Sequence, residues 1–283
     1  MSIALATIAS AAIAAVLWTF SRSMFEAPVL QRRNYRGLDV PVGAGILLVI
    51  TAIVVEAVLA LWRVSGEHLD AHRGERLVFL LVCGLFCLLG VFDDLAAHGD
   101  DRGFRGHVTG MLHGRLTTGG LKLVAGGMVA IVGAAALGAD SIGALVVGGA
   151  LVALAANLAN LFDRAPGRAS KVALVCAAIV LACAAAGERP SLVGMAILAG
   201  AAAGLLAFDL REELMSGDAG SNVLGAAVGL GIVATCSVPV QAAVLVLLVA
   251  LNLASERVSF SRVIDSVAPL RWLDRLGRRS VDA

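Results

Sequence analysis

The chain is dominated by apolar runs that are long enough to cross a membrane, and this feature restricts its fold more than any other. A transmembrane helix needs about 20 mostly apolar residues. Such runs lie at residues 3–20, 42–61, 77–91, 120–137, 142–161, 172–186, 192–208, 223–235 and 240–253. Because lipid cannot hydrogen-bond an exposed backbone, each run is predicted to be helical. The sequence therefore predicts an all-α polytopic transmembrane helix bundle of about nine spans.

Composition supports a membrane protein over a soluble one. Of the 283 residues, 59% are hydrophobic and 15% are charged, whereas soluble domains are about half apolar and a quarter charged. The formal net charge of +1 says nothing about partners, because the charges are segregated along the chain. The five cysteines lie in apolar runs or at their ends without metal-type spacing, so we expect small structural residues. The first run lacks a preceding basic residue, and we interpret it as a retained span.

The distribution of arginine and lysine predicts how the bundle is oriented. Basic residues are concentrated after the first, third and fifth spans and in the tail, and most alternate loops contain few. The exception is the loop between the second and third spans, with Arg63, Arg73 and Arg76. By the positive-inside rule, the N-terminus is predicted to lie outside and the C-terminus in the cytoplasm. We divide the chain into a transmembrane domain, residues 1–255, and a basic amphipathic tail, residues 256–283.

Four carboxylates stand at the span ends that this topology places on the cytoplasmic side. Asp93 and Asp94 close the third span, Asp163 follows the fifth, and Asp218 precedes the eighth. Any one of them alone would be an ordinary solvated cap. A cluster of carboxylates repels itself unless a cation lies among them. The set therefore predicts a metal site, with Mg²⁺ and a bound diphosphate as the chemistry that fits hard oxygen ligands.

Two local patterns support this interpretation. Asn157, Asn160 and Asp163 are spaced by three residues, which predicts that they line one helical face. Gly217 and Gly220 flank Asp218 in "MSGDAGSNVLG", and they permit tight backbone turns. Free amides at the start of the following helix would favour an anion.

Three stretches, "VFDDL", "NLANLFD" and "MSGDAGSNVLG", occur in this order on one predicted membrane face. Together they resemble the polyprenyl-phosphate N-acetylhexosamine-1-phosphate transferases of glycosyltransferase family 4. That family includes the phospho-MurNAc-pentapeptide translocase and the GlcNAc-1-phosphate transferases of teichoic acid and O-antigen synthesis. "RGLDVPVGAGILL" and "GRLTTGGLKL" extend the resemblance, which reaches to about residue 253.

The resemblance implies an enzyme of the bacterial cytoplasmic (inner) membrane that serves cell-envelope polysaccharide synthesis. It would use Mg²⁺, with Mn²⁺ as an alternative, to transfer a sugar-1-phosphate from a nucleotide-diphosphate sugar to polyprenyl phosphate. A UDP-sugar is the preferred donor. Membrane lipids are expected partners and nucleic acid is not, and the resemblance leaves a homodimer open.

The family's motifs assign roles to particular residues. Asp218 matches the main magnesium ligand, and Asp93 and Asp94 match an acidic pair that orients or activates the acceptor, with Asp94 also contacting the metal. Asp163 matches an aspartate that faces the nucleotide diphosphate. The expected catalytic residues are thus Asp93, Asp94 and Asp163, and the expected metal ligands are Asp218 and Asp94. The expected substrate-binding residues are Lys122, Asn157, Asn160, Arg164, Arg168 and His107.

The chain departs from the family pattern at two places. Pro166 stands where the third loop carries a second aspartate, and the last loop lacks the family's histidine cluster. The cations of Arg164, Arg168 and Lys171, or the imidazoles of His107 and His113, could bind phosphate instead. Two alternatives therefore stay open: a catalytically silent family member that acts as a scaffold or regulator of envelope assembly, and a transporter for a lipid-linked substrate.

The tail has a pattern of its own. Apolar residues alternate with arginines in "FSRVIDSVAPLRWLDRLGRRS", and Pro269 is predicted to interrupt the helix. Two interpretations fit this pattern equally: an amphipathic helix on the anionic cytoplasmic leaflet, or a helix docked over the site.

Overall fold

The computed structural model describes residues 1–66, 72–96 and 118–279. Within these ranges the chain forms eleven α-helices and a small hairpin. The helices are α1 (Ile3–Ser21), α2 (Ile46–Val64), α3 (Arg73–Ala96), α4 (Thr118–Ala136), α5 (Ile142–Phe162), α6 (Arg168–Cys183), α7 (Val193–Leu210), α8 (Gly217–Thr235), α9 (Val238–Ser255), α10 (Phe260–Ser266) and α11 (Ala268–Arg275). The strands are β1 (Gln31–Arg33) and β2 (Asp39–Pro41). The prediction of an all-α polytopic bundle is confirmed.

The first nine helices run alternately between the two faces of the bundle. In the described part of the chain, eight helices are long and apolar enough to span a membrane. The remaining one of the nine, α6, has 16 residues and is shorter than a usual span. Even so, α6 connects the face of the bundle where α5 ends to the opposite face, where α7 begins. The ends of α3, α5 and α7 therefore meet the starts of α4, α6 and α8.

One basic residue that broke the positive-inside pattern has a packing partner. Arg76, near the start of α3, is buried, and its Nε lies 2.6 Å from Oε1 of Glu56 on α2. A charge buried in a bundle is tolerated when it is paired and hydrogen-bonded. Arg76 therefore joins α2 to α3 at the face opposite the carboxylates, which explains a basic residue on that side.

The bundle is held together by close approach of small residues. The hydrophobic effect does not drive helices together in lipid, so packing depends on how closely their backbones can meet. On α7, Gly200 faces Thr7 of α1 and Gly204 faces Ala11, and a Cβ at either glycine would lie within 2.3 Å of a backbone oxygen of α1. Gly225 of α8 packs in the same way on α5. These contacts make α7 and α8 the most buried spans.

Replacing Gly204 by alanine is expected to destabilise the fold. The new Cβ would lie 2.1 Å from the Ala11 carbonyl oxygen, so α1 must move away from α7. Overpacking of this kind costs about 1–3 kcal/mol, and thermal unfolding in detergent should show a lower melting temperature. Gly127→Ala in α4 is the matched control, because a Cβ there meets nothing within 4 Å. An unchanged melting temperature for Gly204→Ala would contradict the packing.

The small hairpin was not predicted, and it lies beside the carboxylate face. Its strands pair antiparallel, with Arg32 opposite Val40. The turn is closed by Asn34, whose Oδ1 accepts hydrogen bonds from the amides of Arg36 and Leu38. The Met215 amide donates to the carbonyl of Pro41 at 2.7 Å. The hairpin is thereby tied to the loop that leads into α8.

The tail folds into two short helices that dock on the same face. The chain is extended at Val267 between α10 and α11, and Pro269 lies in the first turn of α11, as expected for a residue that cannot continue a helix. The break predicted at Pro269 is therefore confirmed. Phe260 of α10 stacks on Phe162 at the end of α5, with ring centroids 5.2 Å apart.

Candidate active site

The carboxylate of Asp94 binds the start of α8. Its Oδ1 accepts a hydrogen bond from the Asp218 amide at 3.0 Å, and its Oδ2 accepts one from the Ala219 amide at 3.1 Å. The first amides of a helix have no partner within the helix and attract negative charge. We expected these amides to be free for a substrate anion, but the anion they bind is Asp94 itself. Asp94 thus fixes the end of α3 to the start of α8.

Asp218, whose amide donates to Asp94, is itself surrounded by polar side chains from three other helices. Its carboxylate accepts hydrogen bonds from Lys122 of α4 and from Asn160 Nδ2 of α5, the latter at 2.9 Å. Lys122 Nζ also lies 3.8 Å from Asp93 Oδ2 on α3. The structure therefore brings together four of the residues predicted for the site: Asp93, Lys122, Asn160 and Asp218. Asn222 holds the same turn from within α8, donating to the Asp218 carbonyl at 2.6 Å.

Glycines allow this close arrangement. Gly217 has a φ of +67°, a conformation that other L-residues rarely adopt. A Cβ at Gly217 would lie 2.6 Å from Asp94 Oδ2. On α3, a Cβ at Gly90 would lie 2.3 Å from the carbonyl oxygen of Asp218. The start of α8 can approach α3 only because both positions lack a side chain.

A cleft of about 420 Å³ opens beside this group. It is bounded by the hairpin, the α5–α6 loop, the end of α7 and the start of α8. Its wall includes Arg33, Asn34, Tyr35, Asp94, Asp163, Arg164, Pro166, Asp209, Glu212 and Asp218. The cleft thus brings the predicted residues Asp94, Asp163, Arg164 and Asp218 to one cavity, with carboxylates and guanidinium groups on the same wall.

Asp163 has an electrostatically unfavourable position in this wall. Desolvation raises the pKa of Asp163 well above its ordinary value of 3.8, and the charges of Asp209 and Asp218 raise it further. The Arg164 guanidinium opposes this shift only in part. A carboxyl with a raised pKa binds protons more tightly in the folded state, so its ionisation destabilises the fold.

Asp163→Asn is therefore expected to stabilise the protein at neutral pH. Below the ordinary carboxyl pKa the wild type is protonated and the two proteins should unfold alike. As pH rises towards the raised pKa of Asp163, the wild type alone loses stability, so the difference in melting temperature should grow. The measurement is thermal unfolding at pH 4 to 8 with chelator present. Asp140→Asn, at an exposed position on the opposite face, should show no such trend, and a flat difference for Asp163→Asn would contradict the prediction.

The hairpin is fastened over the cleft by Glu212. Its carboxylate accepts hydrogen bonds from Asn34 Nδ2 at 2.6 Å, from Arg36 Nη1 at 3.1 Å and from the Tyr35 hydroxyl at 3.3 Å. Glu212 has a φ of +60°, and it is the one non-glycine residue with positive φ in the described parts of the chain. Strained backbone of this kind persists only where surrounding contacts enforce it. Here the enforced position aims the carboxylate at the hairpin.

Two residues predicted to bind substrate are engaged elsewhere. Asn157 Nδ2 donates to Asn252 Oδ1 of α9 at 2.7 Å, so it joins two helices instead of facing Asp218. Side chains three residues apart on a helix point about 60° apart around its axis. This difference is enough to give Asn157 and Asn160 different neighbours. Arg168 is buried and pairs with Asp274 of α11. Neither of these contacts is with the predicted site carboxylates, Asp93, Asp94, Asp163 and Asp218.

Some predicted residues lie outside the described ranges. His107 and His113 are among them, so their proposed phosphate contacts stay predictions. All five cysteines are described, and all are free.

Comparison with known proteins gives one informative match. A sequence model of the family "Glycosyl transferase family 4" matches residues 76–237. This range covers more than half of the chain and contains Asp93, Asp94, Lys122, Asp163 and Asp218. The chain belongs to glycosyl transferase family 4. Membership implies transfer of a sugar phosphate to a polyprenyl phosphate carrier. No curated protein matches this family 4 chain.

Sequence reasoning missed three parts of the site in this family 4 protein. Asp209, at the end of α7, is buried in the cleft wall, and it had a usable signal: a carboxylate ending an apolar run on the predicted cytoplasmic side. Glu212 and the hairpin residue Tyr35 had no such signal. They meet only because the hairpin folds back on the α7–α8 loop.

Proposed function

We propose that this protein is a Mg²⁺-dependent sugar-1-phosphate transferase of the bacterial inner membrane, acting in cell-envelope polysaccharide synthesis. A nucleotide-diphosphate sugar, with a UDP-sugar preferred, donates its N-acetylhexosamine-1-phosphate to polyprenyl phosphate. An oxygen of the lipid phosphate attacks the sugar-bearing phosphorus. The bond from that phosphorus to the nucleotide breaks, and a nucleoside monophosphate leaves. The site faces the cytoplasm, in line with the basic loops on that side.

One observation carries the proposal: Asp218 lies at the start of α8, in the wall of a cleft, with Lys122 and Asn160 on its carboxylate. These residues come from three helices and occupy positions that match the family's motifs. A purely structural cap would not require a lysine, an amide and a second carboxylate, Asp93, around one aspartate.

The donor set suits Mg²⁺ bound together with substrate. In the described residues, no three His, Cys, Asp or Glu side chains converge closely enough to hold a metal ion by themselves. Mg²⁺ is usually held by one or two carboxylates together with substrate phosphates, and Asp218 and Asp163 both line the cleft. We propose that these two would hold the ion, with Asp163 in place of the expected ligand Asp94, because both carboxylate oxygens of Asp94 accept hydrogen bonds from the α8 amides. When bound, Mg²⁺ would offset the negative charge of the donor diphosphate.

The remaining side chains supply charge and position. Arg33 and Arg164 line the cleft, where their guanidinium groups suit the oxygens of a diphosphate. Lys122 keeps Asp93 and Asp218 close despite their like charge. We assign Asp93 to orienting or activating the lipid phosphate, and Asp94 to positioning Asp218 through the α8 amides. Most of the catalysis of phosphoryl transfer comes from such positioning and charge stabilisation.

The test is direct. The purified chain in lipid nanodiscs would be given Mg²⁺, undecaprenyl phosphate and a panel of UDP-sugars, and release of UMP would be measured. We expect turnover with at least one N-acetylhexosamine donor. Absence of turnover with every donor, together with absence of Mg²⁺-dependent nucleotide binding, would refute the proposed transferase activity.

A second candidate is a catalytically silent scaffold. It is favoured by the fact that Arg168 and Lys171, which could replace the missing histidines, are bound to the tail: Lys171 Nζ donates to the carbonyls of Leu273, Asp274 and Leu276. A scaffold would keep its cellular role when Asp218 is replaced by asparagine. Loss of that role in Asp218→Asn cells that still contain folded protein would exclude the scaffold.

A further inference from the structure

The inner side of the tail is firmly attached to the bundle, and this fixes the direction of its outer side. Arg168 donates from Nε and Nη2 to the two carboxylate oxygens of Asp274, at 2.8 and 2.9 Å. Lys171 donates to three carbonyls at the end of α11. Arg278 reaches the carbonyl of Pro166 in the α5–α6 loop. With Asp274 turned towards the bundle, the opposite side of α11 must face away from the protein.

Beyond this attachment the tail exposes large apolar side chains. We call them the tail patch: Val263, Val267, Leu270, Trp272, Leu273 and Leu276. Every member is at least 40% exposed, and Trp272 is 63% exposed. Around α11, Trp272 points about 160° away from Asp274, whereas Leu270 lies at the edge of the side that carries Asp274. Exposed apolar side chains concentrated in one short segment, residues 263–276, are typical of an interaction site.

The charges around the tail patch select the partner. Arg257, Arg262, Arg271, Arg275 and Arg279 are all exposed, whereas the exposed carboxylates of residues 256–279 are Glu256 and Asp265. Arginines beside a surface with tryptophan and leucine are typical of helices that lie in the headgroup region of an anionic bilayer. Tryptophan favours this depth because its ring is apolar and its N–H is polar.

The position of the tail in the fold agrees with this partner. The tail follows α9, whose outward residues Val246, Leu247 and Leu253 are exposed at the periphery of the bundle. After the exposed charges of Glu256 and Arg257, Val258 and the tail patch are the next exposed large apolar side chains along the chain. The tail therefore begins where the span leaves the hydrocarbon region.

We propose that the tail patch binds the surface of the bilayer and that its arginines select anionic phospholipid headgroups. The attachment of the tail to α6 through Arg168 and to the α5–α6 loop through Arg278 then links the bilayer surface to the segment that carries Asp163 and Arg164. The binding itself does not depend on the proposed transferase activity, and it can be measured without any sugar nucleotide.

Fluorescence of Trp272 in the full chain tests the proposal. Its contribution is the difference between the wild type and Trp272→Phe, both reconstituted singly in nanodiscs of phosphatidylcholine with or without phosphatidylglycerol. We expect quenching by lipids brominated near the headgroup, stronger with phosphatidylglycerol and weakened by salt. Arg271→Gln with Arg275→Gln should remove the preference for phosphatidylglycerol. Arg73→Gln, at an exposed site on the opposite face, should keep it.

Two results would overturn the proposal. Trp272 could be reached by a water-soluble quencher, and not by brominated lipid, in both lipid compositions. Alternatively, Trp272 could be shielded only in nanodiscs that hold two copies of the chain, and then a second protomer covers the patch. Equal quenching by brominated lipid with and without phosphatidylglycerol would support contact of Trp272 with the bilayer, but it would contradict selection of anionic headgroups by the arginines.

Discussion

Asp218→Asn is expected to reduce UMP release by about 100-fold or more, because removal of one preorganised charged group at a polar reaction centre typically has an effect of this size. The amide keeps the shape of the side chain but cannot carry the charge that Lys122 and a metal ion require. Single-turnover assays at saturating donor and acceptor would measure the loss. The start of α8 should stay folded, since its amides bind Asp94 and not Asp218.

Asp140→Asn is the matched control for this loss. It makes the same chemical change at an exposed position between α4 and α5, far from the cleft, and should leave turnover unchanged. If Asp218→Asn retained most of its activity, Asp218 could not be the group on which the site depends. If both variants lost activity equally, the effect would be one of general charge and not of this residue.

Asp274→Ala is expected to cause the largest loss of stability. It would leave the guanidinium of Arg168 buried without its carboxylate, and breaking a buried ion pair in this way costs about 3–5 kcal/mol. Both side chains are about 6% exposed, so solvent screens the pair little. Thermal unfolding in detergent should show a lower melting temperature, and proteolysis should cut the tail sooner. The α5–α6 loop would lose its support as well, so turnover should fall.

The acid dependence of the tail provides a further check on this ion pair. Burial alone would raise the pKa of Asp274, but the hydrogen bonds from Arg168 and the charge of Arg278 outweigh it and hold the pKa below 3.8. The stability that the pair supplies is therefore present above that value and is lost as pH falls through the lowered pKa. Asp265→Ala, at an exposed position in the same tail, is the control. Arg168→Met with Asp274→Leu should be more stable than Asp274→Ala, because no buried charge is left unpaired.

Much of the fold followed from where apolar residues stop. Most spans end close to charged residues, and lipid admits helices but not open chain. Alternating spans then place Asp93, Lys122, Asn160 and Asp218 on one face, whatever the details of packing. The glycines on either side of Asp218 also predicted a tight backbone turn there. These parts of the site are determined by hydrophobicity and local backbone freedom, both of which can be seen in a single sequence.

The choice of partners at that face needed the folded chain. Asp93 and Asp94 are equivalent in sequence, yet Asp94 binds the α8 amides and Asp93 lies near Lys122. Arg168 and Arg164 looked like similar phosphate ligands, yet Arg168 pairs with Asp274, 106 residues away. Each choice depends on the direction of a side chain and on which distant segment arrives there.

The sequence alone determined that this protein is a bundle of spans with carboxylates gathered at one membrane face, because the cost of polar groups in lipid is a local property of each segment. Only the tertiary structure decided which carboxylate caps a helix, which faces the cleft, and that the tail is both docked and exposed. Those outcomes depend on differences of about 60° in the direction of side chains around a helix and on contacts between residues far apart in the sequence. Neither can be predicted from the local sequence.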